Sequence, residues 1–104
     1  MSRGPDAGTQ LERALICGAG VAGVAPVILS ADWVRWASAT FTGARHRLTL
    51  SAAPSPTLDH WLAGLPEAEF SLWGHLVADL AVASRHADAD AVTFDLEALT
   101  VEDR

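Results

Sequence analysis

Lysine is missing from this chain, and cysteine nearly so. All seven basic residues are arginine; they face thirteen Asp and Glu, for a formal charge of −6. Such a surface repels a phosphate backbone on average, so nucleic acid is not expected as the main partner. The single cysteine, Cys17, has no mate for an internal disulfide and cannot build a cysteine-based zinc site alone. The four histidines, His46, His60, His75 and His86, show no close metal spacing and no H-E-x-x-H. "HADAD" (86–90) lacks the glycine and the closing glutamate of a calcium loop. No nucleophile–base motif is spelled, and no low-complexity tract or internal repeat is visible. No cofactor is therefore expected.

What is present suits one domain. The chain has 104 residues, and half of them are hydrophobic, which supplies one modest core and not two. Met1 to Arg13 is polar with Gly4, Pro5 and Gly8, and reads as a disordered tail ahead of a single domain over 14–104. Ala14 to Ala31 carries no charge. "VAPVIL" (24–29) reads as a strand with a glycine loop before it. The stretch is also weighed as a secretory signal or a membrane anchor. Its glycines, proline and alanines, and the acids Asp6 and Glu12 upstream, favour a soluble cytoplasmic segment instead.

Ser30 as N-cap, Asp32 in a first turn, and Trp33, Trp36, Ala37 and Phe41 at helical spacing predict a helix over 31–41, closed by Gly43. "RHRLTLSA" (45–52) alternates and predicts a strand. Ser55, Pro56 and Asp59 open a helix striped by Leu58, Trp61, Leu62 and Leu65. Leu76 to Arg85 and Ala91 to Glu97 predict a hairpin, with a bulge near Ala98 where the apolar phase flips to Leu99 and Val101. The fold class is α+β: a small antiparallel sheet, two helices on one face, and a C-terminal β-hairpin.

Residues 14–29 include "ICGAGVAG", a G-x-G-x-x-G at Gly18, Gly20 and Gly23 that resembles the opening of flavin- or nicotinamide-dependent oxidoreductases. The resemblance implies a strand, a phosphate-cradling turn and a helix. Pro26 would fall inside that helix, and no acid follows at ribose distance, so a fragment of a dinucleotide-binding domain is the weaker alternative. His75 and Asp79 stand four apart on a predicted strand. With Arg45 and Arg47 on a neighbouring strand they form a candidate polar patch for a small-molecule binder or enzyme. The leading expectation is different: a non-enzymatic protein acting by association, as a homodimer, through excess apolar surface in "VAPVIL" and the aromatic segment after it.

Overall fold

The computed structural model describes residues 6–103. Two helices lie against one face of a four-stranded antiparallel sheet. The order along the chain is α1 (Ala7–Ala22), β1 (Val27–Ala37), β2 (Thr42–Ala52), α2 (Pro56–Gly64) with a 3-10 turn (Leu65–Glu67), β3 (His75–Ala87) and β4 (Val92–Glu102). Across the sheet the order is β1-β2-β4-β3. The expected α+β class, the face carrying both helices and the C-terminal hairpin are all present.

Helix α1 corrects two expectations. Residues 7–13, read as tail, form its first half; Met1–Pro5 lie outside the described residues. The Asp6 carboxylate caps the helix by accepting from the Thr9 N–H at 2.7 Å. Ala7, Leu11, Leu15 and Ala19 then recur every fourth residue and are buried as one stripe. The glycines are not a loop. Gly18 and Gly20 lie within the helix, and Gly23 terminates it at φ 88, where a side chain would be strained. The stretch thus continues a helix instead of joining a strand to one.

The predicted helix over 31–41 is the second half of strand β1 and a turn. Trp33 and Trp36, three apart, mimic a helical stripe, yet Trp33 stands opposite His46 and Trp36 opposite Gly43, on opposite faces of the sheet. Pairing with β2 along ten residue partners outweighs the local capping signal of Ser30. The bulge expected near Ala98 lies across the hairpin instead. Strand β4 runs unbroken, and β3 carries the irregularities, at Ala78 and at Ala83.

The architecture contains a repeat. Moving β2 forward by 50 residues gives the bounds of β4, and moving β1 forward by 50 gives the last eleven residues of β3. Both hairpins turn alike. Ser38 Oγ accepts from the N–H groups of Thr40 and Phe41, and Asp88 Oδ1 from those of Asp90 and Ala91. Asp6 and Ser55 cap the two helices in the same way. The halves are related by a pseudo-two-fold axis normal to the sheet, between Arg47 and Glu97, which pair across β2 and β4. The repeat is faint in the sequence: β2 and β4 share no residue at equivalent positions, and β1 shares four with the last eleven residues of β3, Val27/Val77, Ala31/Ala81, Arg35/Arg85 and Ala37/Ala87.

Even-numbered residues of β2 and β4 face the helices. Leu48, Leu50, Phe94, Leu96 and Ala98 join Leu11, Leu15, Leu58, Leu62 and Leu65 in the core. Trp61 seals its margin, edge-on to Phe94 with ring centroids 6.1 Å apart. Odd-numbered residues face the open side, which neither described helix covers. No helix among the described residues is long and apolar enough to cross a membrane.

Candidate functional sites on the two faces of the sheet

The sequence-predicted patch divides between the two faces. Arg45, Arg47 and Asp79 meet on the open face, with Asp32 and Glu97, around a shallow depression of about 460 Å³. His75 does not join them. The bulge between Val77 and Asp79 reverses the alternation, so His75 turns to the helix side. Of the five charged groups around the depression, two form an ion pair. Arg47 pairs with Glu97 at 2.6 Å. Asp95 accepts from Thr49 Oγ1 at 2.6 Å and from Ser84 Oγ at 2.7 Å, and these two hydrogen bonds hold its carboxyl below the ordinary value.

The open face is not uniform. Towards the Ser38–Phe41 turn it becomes apolar. One row across the strands reads Trp36, Gly43, Val101, Leu76; the next alternates Val34, Arg45, Leu99, Asp79; Phe41 flanks Leu76 and Val101. Val34 is 69% exposed, Leu76 55% and Phe41 54%. The pseudo-two-fold supplies an internal control. At the opposite end the equivalents of Val34, Trp36, Leu99 and Val101 are Ser84, His86, Thr49 and Ser51. Gly43 is required here, because a Cβ at this position would overlap the Thr100 carbonyl.

On the helix face the same comparison runs the other way. The cross-strand pairs Leu50–Phe94 and Leu48–Leu96 build the core at one end. Their equivalents at the other end are Thr100–Ala44 and Ala98–His46. A cavity of about 170 Å³ remains there, roofed by Asp6, Ala7 and Gly8 of α1. His46 is only 4% exposed. The Thr100 hydroxyl donates to the Ala44 carbonyl at 3.4 Å, which leaves His46 Nε2–H donating to Thr100 Oγ1 at 2.8 Å. Burial lowers the His46 pKa, partly offset by the Asp6 carboxylate and reinforced by His75. His75 also lines the cavity, and its Nδ1 is buried without a partner among the described residues. Asp6 itself is held acidic by the Thr9 N–H.

The sequence left His46, Thr100, Asp6, Arg35 and Trp33 unassigned as a group. One signal was available: His46 and Thr100 occupy the apolar phase of their strands, in step with Leu48 and Leu50 and with Phe94 and Leu96. Among the described residues no three His, Cys, Asp or Glu side chains converge closely enough to hold a metal ion. The chain matches no family model, no curated protein and no solved structure, so the reading of both faces rests on their own geometry.

Proposed function

We propose that this protein acts by association, pairing with a second copy of itself through the open face of the sheet. The apolar end of that face carries the proposal. Val34, Trp36, Phe41, Leu76, Leu99 and Val101 gather there around Arg45, whereas the equivalents of Val34, Trp36, Leu99 and Val101 are Ser84, His86, Thr49 and Ser51. A contiguous apolar patch rimmed by polar groups is the usual mark of a contact surface. Four strands, three of eleven residues and one of thirteen, present about 19 by 36 Å, or roughly 700 Å² per copy, close to the approximately 800 Å² per partner of a standard interface.

The face is also self-complementary. A two-fold axis along the strands, between β2 and β4, sets apolar end on apolar end. It also lays Arg45 and Arg47 of one copy over the side of the partner that bears the acidic residues of β4 and β3. Paired charges within the face, Arg47 with Glu97 and Asp95 with two hydroxyls, fix part of that surface beside Arg45, Asp32 and Asp79. Sedimentation of the full chain at micromolar concentration tests the reading. A dimer is expected, retained in high salt as apolar contact requires and lost in the double variant Phe41→Ser/Leu76→Asp, whose far-UV spectrum should be unchanged because both side chains are exposed. A monomer at every concentration overturns it, as does a double variant that still dimerises.

A further inference from the structure

The helix-side cavity is the second place where the halves diverge, and self-association gives it no task. At one end of the core Leu50, Phe94 and Leu96 close the space beneath α2. At the other, the equivalent positions hold Thr100, Ala44 and His46, and the space stays open. A buried histidine and hydroxyl in place of two leucines weaken a core, the kind of cost that binding sites carry. The floor and one wall are apolar, built from Ala44 and the Trp33 ring. The remaining walls carry opposite charges. Arg35 enters from β1, the exposed edge strand. Glu102 of β4 stands about 12 Å away, two strand spacings across the sheet and two residues along it, beside His75, while the Asp6 carboxylate hangs at the start of α1. Between them the neutral tautomer of His46 presents Nδ1 as an acceptor, and His75 Nδ1, itself shielded, has no partner among the described residues.

We infer that this cavity is a binding site for a small zwitterion, a free α-amino acid with a short side chain. Its carboxylate would lie against Arg35, its ammonium group against Glu102 and Asp6, and its side chain against Ala44 and Trp33. The volume of about 170 Å³ leaves room for glycine, alanine or serine. A simple anion meets two carboxylates here, and a simple cation meets the guanidinium, so neither half of the ligand alone satisfies the walls.

The test is a titration of the full chain with glycine and L-alanine, followed by the imidazole resonances of His46 and His75 and the indole resonance of Trp33. Saturable shifts are expected at all three residues. Acetate and methylamine, each carrying one of the two charges, should bind at least tenfold more weakly. Arg35→Gln, an exposed position outside the core, should weaken L-alanine at least tenfold while leaving the dispersed methyl resonances in place. Ala44→Leu should abolish the response by filling the cavity, and Arg35→Gln carries the test alone if that variant does not fold. No saturable shift with either amino acid overturns the inference. So does acetate binding as tightly as glycine, or unchanged binding to either folded variant.

Discussion

Replacing His46 and Thr100 together by leucine gives the pocket end of the sheet the residues of the core end, where Leu96 and Leu50 stand. The expected result is a more stable protein. The two residues hydrogen-bond to each other through His46 Nε2, so removing both leaves no orphaned side-chain partner, a change that is close to neutral. The added aliphatic carbon then fills a cavity of about 170 Å³, ample for the increase in side-chain volume. At about 0.8 kcal/mol per buried methylene, the gain is on the order of 1–3 kcal/mol. Thr100→Val alone should do the opposite and cost about 1–3 kcal/mol, because it strands the buried imidazole N–H.

The pH dependence sharpens the test. Burial lowers the His46 pKa, so below about 6.5 the unfolded chain binds a proton that the folded one resists. Stability from this source is complete above about pH 6.5 and falls as the pH drops towards the folded value, with a slope of at most about 1.4 kcal/mol per pH unit. Urea unfolding at 25 °C between about pH 5 and pH 8 measures it. The double variant should be more stable at pH 8 and nearly flat across this window. A double variant less stable than the parent, or one that keeps the parent's loss of stability between pH 7 and pH 5, would refute the reasoning.

Two further outcomes follow from the sheet. Gly43→Ala should fold poorly or not at all, because the new Cβ meets backbone and not a flexible side chain; a cooperative unfolding midpoint equal to the parent's would contradict the close approach of β2 and β4. Asp95 should titrate below the ordinary aspartate range by carboxyl-carbon NMR. Its hydrogen bonds from Thr49 and Ser84 therefore contribute stability above about pH 4 that is lost as the pH falls through the lowered value, and Thr49→Val should move the titration back upward.

What the sequence disclosed depended on whether one segment carried its own signal. Strand β2 alternates through Leu48, Leu50 and Ala52 on one side and Arg47, Thr49 and Ser51 on the other, and α2 has its cap, its first-turn proline and its leucine stripe; both were legible. Helix α1 was not, because its buried stripe begins and ends on alanine and its last turns contain Gly18 and Gly20, which resemble a loop. Strand β1 was not, because its tryptophans lie at a spacing that serves helix and strand alike. The patch of Arg45, Arg47, His75 and Asp79 was legible only in part. Its composition could be read, but one bulged residue, Ala78, decides that His75 and Asp79 face opposite ways. The cavity draws on α1 and all four strands, so no local pattern announces it.

The pseudo-two-fold has a consequence for connectivity. Strand β2 reaches α2 across 53–55, and on the other side of the axis β4 ends beside the start of α1: Asp6 and Glu102 line the same cavity. The described polypeptide is therefore close to a closed ring of two αββ units, opened at one of two equivalent seams. The order in which the units are written along the chain has little bearing on the packing they reach. What distinguishes the halves is the identity of their side chains, and so the asymmetry on which both proposed surfaces depend is a property of composition and not of topology.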